Sequence, residues 1–364
     1  MLQDIDLRAL AEMDGPERAF VSAYLTGRKG LRAVEARADK IRALLEDDAD
    51  AAAHFEESYR LIQTLLKEHP PEEGRGMCIF ASYVLDFVQG HRVSVAVPDL
   101  LRLGPAPYIR PLARLQDTYE KFALVAADNT DTRIYLVAAE NTELEDRVKG
   151  NIKNRVKKGG WSQKRYARRR KNELHHYAAE VAEVLEDLDR KESIDHIILM
   201  GSQETIQEIE DAFSEPLADK VTGETSADLD ADTDDLVDDA YDLFFKEERE
   251  EDRHLWERIQ GEYLAAHPAA VGAEDVLMAL LNGRVEHLLI TQDVKLDGIR
   301  CRDCENVTAG SPDTCPYCKK SEVIPVDLVN ELVRHAEITD ADVDFTEPIP
   351  GLSKVGDVAA LLRY

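Results

Sequence analysis

Four of the five cysteines fall in two close pairs, Cys301-Arg-Asp-Cys304 and Cys315-Pro-Tyr-Cys318, with ten residues between them. Two thiolates on one tight turn can face two on another and complete a tetrahedral Zn²⁺ shell, with sulfur ligands at ~2.3 Å. Such a shell forces the chain around it into a small knuckle. With all four positions supplied by protein, no place is left for water or substrate, so the expected metal is structural. It would add as much as roughly 10 kcal/mol of apparent folding free energy to a segment with little core of its own. The alternative, a redox dithiol, needs a single CxxC at a helix start rather than two facing turns. Cys78 lies among Met77, Ile79 and Phe80 and reads as a small buried apolar residue.

At 364 residues the chain exceeds what one hydrophobic core usually supports, so two or three domains are expected. No stretch approaches the ~20 consecutive apolar residues of a membrane helix, and the first twenty residues carry acids where a secretory signal would be basic and then apolar. A cytoplasmic protein without a membrane partner is the expectation. The net charge is -28, which by itself opposes a nucleic-acid partner. Its distribution says something different. Arg147 to Asn172 holds twelve Lys or Arg and no acid, a local +12, so the rest of the chain carries -40. A concentrated cationic patch on an acidic body lets one face approach phosphate while the remainder is held away. A solvated basic helix face is the plainer alternative.

The chain reads as a mixture of α/β and α+β in three parts, 1–112, 113–236 and 237–364. In the first, a strand-like run from Ala19 to Leu25 precedes a long amphipathic helical pattern, Leu31 to Leu66. Strand candidates follow at Gly76 to Phe80 and Val93 to Val97, and a Pro-rich stretch, Pro98 to Pro111, resembles a boundary. The second opens with runs Phe122 to Asp128 and Arg133 to Ala139 around an Asn-Thr-Asp-Thr turn, a predicted hairpin. After the basic stretch, Leu174, Tyr177, Ala178, Val181, Val184, Leu185 and Leu188 share one helical face, opposite Arg165, Arg168, Arg169, Asn172 and His176. Ile194 to Met200 reads as a buried strand, with Ser202 capping the next helix. The acidic stretch Thr225 to Asp252 superficially resembles a calcium loop, but Thr233 and Asp239 stand where Gly and Glu are needed. A charged helix is expected from Asp242 to about Ala266. Then come a helix (Ala273 to Leu281), a strand (His287 to Thr291), the cysteine pairs, a helix (Val326 to Ala336) and a closing apolar run, Val358 to Leu362.

The chemistry is expected in the loop Lys157 to Arg170. Gly159 and Gly160 let backbone enter a crowded place without a Cβ. Ser162 is placed to cap the following helix, with Gln163 in its first turn, and helix N-termini favour phosphate. Lys157, Lys158, Lys164, Arg165, Arg168, Arg169 and Arg170 supply salt-sensitive phosphate contacts, and Trp161 offers a face for a base. A neutral Gln cannot act as a general base, but its amide can hold a water or an oxyanion in place. A plain glycine turn before a helix accounts for the glycines and Ser162, and leaves the cations and Trp161 unexplained.

The GGWSQ loop resembles a variant of the Gly-Gly-Gln loop of the archaeo-eukaryotic class-1 peptide chain release factors. The AFVSAYL, RIYLVAA, ELHHYAAEVAEVL and IILMGSQETI stretches are similar to the first two domains of that superfamily. VLMALLNGRVEHLLIT, the cysteine insertion and the terminal VAALLRY resemble the third, which has the fold of kink-turn RNA-binding ribosomal proteins. The best match is to the bacterial branch, akin to Pelota-like ribosome quality-control members. The resemblance implies a three-domain architecture with a zinc knuckle in the third domain. It also implies peptidyl-tRNA ester hydrolysis, with Gln163 placing the attacking water and Gly159 and Gly160 permitting the approach. The partners implied are large-subunit rRNA of the ribosome, peptidyl-tRNA and a translational GTPase. Two departures stand out. Trp161 and Ser162 separate the glycines from Gln163, and the only Asn-Ile-Lys-Ser-like string, Asn151 to Asn154, lies before the GG loop rather than in the first domain, where stop codons are read. Rescue of stalled ribosomes thus fits better than stop-codon decoding. The alternatives are a non-catalytic ribosome- or tRNA-binding factor and a tRNA-cutting nuclease with His175 and His176 as candidate acid and base, of which one at most is expected to be exposed.

Overall fold

The computed structural model describes residues 2, 5–128, 131–138, 141–149, 161–226 and 232–364; for 141–149, 161–171 and 234 it describes the backbone path alone. The chain divides into two compact units, one formed by Met1–Thr118 together with Glu251–Tyr364, the other by Tyr119–Glu250. The expected boundary at 112 falls within a helix, Arg110–Thr118, and that at 236 within another, Thr233–Leu264.

The first unit begins with α1 (Leu7–Ala11), capped by the Asp6 carboxylate, which accepts from Ala9 N–H. Next come β1 (Phe20–Thr26), α2 (Gly27–Leu44), α3 (Ala49–Glu68), β2 (Gly76–Ser82), β3 (Phe87–Val93), β4 (Leu100–Gly104) and α4 (Arg110–Thr118). The strands form an antiparallel sheet in the order β3-β2-β1-β4. The single helix expected from Leu31 to Leu66 is two helices. Apolar periodicity runs on through the junction, but the chain turns at Leu45–Asp48, where Asp48 accepts from Ala51 N–H and starts α3 afresh. The second strand candidate sits earlier than Val93–Val97, and the Pro-rich stretch is no boundary, because it holds β4, which completes the sheet beside β1. Both long helices cover one sheet face, burying Val34, Ala38, Phe55, Tyr59 and Ile62 against Val21, Ala23, Leu25 and Ile79.

The second unit carries the predicted hairpin, β5 (Phe122–Ala127) and β6 (Asp131–Ala138), and a further antiparallel strand, β7 (Asn141–Lys149). It continues through α5 (Trp161–Glu192), β8 (His196–Gly201), α6 (Gln203–Glu210), α7 (Glu215–Ala218), β9 (Val221–Thr225) and the start of α8 (Thr233–Leu264). The sheet order is β7-β6-β5-β8-β9, with β8 parallel to both β5 and β9. Alternation along β5 sends Ala123, Val125 and Ala127 to the α5 face and Phe122, Leu124 and Ala126 to the α8 face, so both faces are covered. Ser202 caps α6 as expected, its hydroxyl accepting from Thr205 N–H. The helix expected from Asp242 starts nine residues earlier, at Thr233, because Leu236, Val237 and Ala240 continue the apolar stripe of Phe244. Asp228 to Ala231 of the calcium-like string lie outside the described residues.

From Glu251 the chain returns to the first unit. α8 ends there, and β10 (Ala269–Val271), α9 (Ala273–Leu281), β11 (Val285–Thr291), β12 (Asp297–Cys301), β13 (Val307–Ala309), β14 (Val323–Asp327), α10 (Leu328–Thr339), β15 (Asp342–Thr346), α11 (Pro350–Ser353) and β16 (Val358–Leu362) follow. Two sheets result, β10-β16-β11-β15 and β13-β12-β14. Within this unit the two ends of the chain are joined by buried polar contacts. The Asn330 carbonyl accepts from Ile109 N–H (2.9 Å) and Arg110 N–H (3.1 Å). Arg334 donates to Ala11 O (2.9 Å) and Met13 O (3.0 Å), and Arg300 pairs with Asp14 through both guanidinium nitrogens. No described helix is long and apolar enough to cross a membrane.

Candidate functional site

The 32-residue α5 is the platform of the expected RNA-facing segment. Its apolar stripe, Leu174, Tyr177, Ala178, Val181, Leu185 and Leu188, is buried against the sheet, and the Tyr177 hydroxyl meets the Thr132 hydroxyl of β6 at 2.5 Å. Burial pushes the Tyr177 phenol well above its ordinary value, so this bond stays neutral. The stripe anchors the C-terminal part of α5, and the helix also meets the edge strand β7.

Trp161, Ser162, Gln163, Lys164, Arg165, Arg168, Arg169 and Arg170 all lie in the first ten residues of α5. Ser162 is thus the second residue of the helix and not the cap ahead of it, and Gln163 is the third. Lys157, Lys158, Gly159 and Gly160 lie outside the described residues. His175 and His176 are both exposed, against the expectation that at most one would be, with ring centroids 6.5 Å apart. The apolar stripe is narrow here, and neither histidine falls on the azimuth that Leu174, Tyr177 and Ala178 share.

The second predicted site assembles in the first unit. The sulfurs of Cys301, Cys304, Cys315 and Cys318 all lie within 4.8 Å of one another, and the pairs Cys301–Cys318 and Cys304–Cys315 stand at 3.5 Å. All four cysteines are free. Each CxxC builds the same turn. Cys301 N–H donates to Asn306 O and Glu305 N–H to Cys301 O, while Cys315 N–H donates to Lys320 O and Lys319 N–H to Cys315 O. Glu305 and Lys319 close the turns at φ 59° and 64°, a left-handed geometry that neither side chain favours. The Asn306 amide donates to the Cys304 sulfur (3.3 Å), and this bond, with the Asn306 backbone N–H, draws the Cys304 thiol down to about 6. These turn partners carry no metal-ligand signature, so the cysteine spacing alone did not reveal them.

The chain as a whole is similar to release factors. Residues 107–243 match the family described as bacterial archaeo-eukaryotic release factor family 10. Similarity extends beyond that stretch. Peptide chain release factor subunit 1 of Archaeoglobus fulgidus is 25% identical over 279 residues, covering 71% of this chain and 69% of the relative. The protein of the same name from Thermococcus sibiricus is 23% identical over 336 residues, covering 82% and 81%. Among solved structures, S. cerevisiae Dom34, described as a translation termination-like factor involved in RNA quality control pathways, aligns over 80% of each chain at 10% identity with a TM-score of 0.44.

Proposed function

We propose that this protein acts on the ribosome, in termination or in rescue of stalled complexes, by bringing the segment Lys157 to Arg170 to the ester of peptidyl-tRNA. Gln163 would position the attacking water, Gly159 and Gly160 would allow close backbone approach, and the flanking cations would hold rRNA or tRNA phosphate. The observation that carries this reading is the acid-free +12 segment, which leads into a helix anchored on its sheet at the other end. Relatives named peptide chain release factor subunit 1 support it. Large-subunit rRNA, peptidyl-tRNA and a translational GTPase are the proposed partners, and 1–112, 113–236 and 237–364 the functional modules. A second reading, a non-hydrolytic ribosome-binding factor, is favoured by one feature: Gln163 belongs to α5 and follows Trp161 and Ser162 rather than the glycines directly.

The cysteine knuckle fits a structural Zn²⁺. A tetrahedron with Zn–S bonds of ~2.3 Å has S–S edges of ~3.8 Å, close to the spacings found at the four sulfurs. When bound, the ion would supply cross-linking of two turns and no chemistry. Cys301, Cys304, Cys315 and Cys318 would hold it.

The test is a release assay on peptidyl-tRNA in ribosomes, paired with co-sedimentation. Gln163→Ala should lower release at least about 100-fold, the scale of losing one positioned catalytic donor, while sedimentation persists. Reversing the charge of Arg165, Arg168 and Arg169 should abolish sedimentation as well. Unchanged release with Gln163→Ala would leave the binding-factor reading in its place.

A further inference from the structure

Glu120, His196 and Glu248 bring three potential ligand atoms within 4.8 Å of one another in the second unit, far along the chain from the cysteines. We propose that they form a second metal site, for a divalent first-row ion such as Mn²⁺ or Zn²⁺ bound through nitrogen and carboxylate oxygen. Glu120 directly precedes β5, His196 opens the neighbouring parallel strand β8, and Thr222 lies in β9 beside it, so the three meet at the N-terminal ends of adjacent strands. Glu248 comes from α8, one turn beyond Phe244. The Phe244 ring stacks on Phe122 (5.2 Å) and packs edge-on against the His196 ring (5.3 Å). The Phe244 contacts fix the turn of α8 that carries Glu248 over the strand ends.

The cluster gathers one imidazole and two carboxylates about a single point. The Thr222 hydroxyl sits 2.6 Å from His196 Nδ1, and Lys220 O, 3.4 Å from the same hydroxyl, can take its proton when Nδ1 carries one. That hydrogen bond sets the ring orientation and leaves Nε2 to face Glu120 Oε2 at 2.5 Å and Glu248 Oε1 at 4.0 Å. A bare Nε2 lone pair cannot rest against a carboxylate. Either a proton or a metal ion must stand between Nε2 and the two carboxylates. An imidazole whose other nitrogen is held by a hydrogen bond is the usual arrangement around a metal-bound histidine. One imidazole and two carboxylates suit Zn²⁺, Mn²⁺ or Fe²⁺ rather than a soft ion, and leave coordination positions open. Metal entry displaces the Nε2 proton to solvent. α5 separates this cluster from Gln163 by about 45 Å of helix, at 1.5 Å per residue, so the site is independent of the chemistry proposed at the loop. Its effect would be to pin α8 to the ends of β5 and β8.

The experiment is a Mn²⁺ titration of the full chain, followed by electron paramagnetic resonance, because Mn²⁺ prefers oxygen and nitrogen ligands and discriminates against a four-thiolate knuckle. One tight Mn²⁺ per chain is expected. Glu248→Gln and His196→Ala should each weaken it at least tenfold, Thr222→Ala by about tenfold, and Cys301→Ser should leave it unchanged. Glu248→Gln preserves shape, so it serves if His196→Ala does not fold. Absence of saturable binding below ~1 mM, on the scale of weak sites, would mean that a proton alone fills the cluster and would overturn the proposal. Affinity unchanged in Glu248→Gln would assign the ion to the general acidic surface, with the same consequence.

Discussion

Asp252, on the part of α8 that belongs to the first unit, is largely removed from water and faces Asp344, Glu251 and Glu347. Burial raises its carboxyl to about 6 first of all, a hydrogen bond from Thr346 opposes the shift, and the three acids add to it. A folded-state value above the ordinary 3.8 means that the native state binds this proton more tightly than the unfolded chain. Asp252 therefore favours folding below about 4, and that contribution is lost as pH rises through about 6. Asp252→Asn should raise the unfolding free energy at pH 7.5 by on the order of 2 kcal/mol, discounted for partial exposure, with the gain fading toward pH 4; denaturant melts at the two pH values check it. Nothing in the sequence marks Asp252 among the acids of its segment. The same holds for the cluster of Glu120, His196 and Glu248, because 76 and 52 residues separate its members and each alone reads as an ordinary surface polar residue. Cysteine spacing, by contrast, encodes its own geometry, and the four sulfurs stand together as the sequence implied.

At the level of elements, regular periodicity was readable and interruptions were not. The hairpin β5–β6, α9 and β16 follow their patterns closely. β7 went unseen because Asn-Thr-Glu-Leu-Glu-Asp-Arg-Val-Lys lacks the alternating apolar residues of a strand with a buried face; a charged strand is what a sheet edge accommodates. The α2–α3 break is hidden by an apolar rhythm that survives the turn, and only the Asp48 cap betrays it. The knuckle also carries a prediction at this level. β12 ends at Cys301, and the residues on either side of it, Arg300 and Arg302, reach Asp14 and Glu17. Removing the expected Zn²⁺ with a chelator, or changing Cys301 to Ser, should lower the melting temperature of the whole first unit rather than loosen the knuckle alone. Calorimetry with metal analysis checks this. A knuckle that melts separately would show that it is not coupled to the rest.

At the scale of the molecule, the first unit is held across a separation of 286 residues by Arg300 and Asp14. Arg300 is 9% exposed and Asp14 39%. Asp14→Ala should cost about 2 kcal/mol, less than for a fully buried pair, because it strands a guanidinium away from water. Pairing it with Arg300→Met should recover part of that loss, as chemical denaturation of the four variants would show. Charge is distributed at this scale too: the sequence alone shows +12 in one segment against -40 elsewhere, but which ends of the chain fold together follows from side chains such as Asn330 and Arg334, whose partners lie more than two hundred residues away.

That discontinuity sets an order of events during biosynthesis. Tyr119–Glu250 is contiguous and carries cores on both faces of its own sheet, so it can complete as soon as it has been made. The N-terminal residues hold a core of their own, but their polar anchors at Ala11, Met13, Asp14, Ile109 and Arg110 stay unmet until Arg300, Asn330 and Arg334 have been synthesised. Truncation between Glu251 and Arg300 therefore removes all of these partners and leaves Tyr119–Glu250 intact.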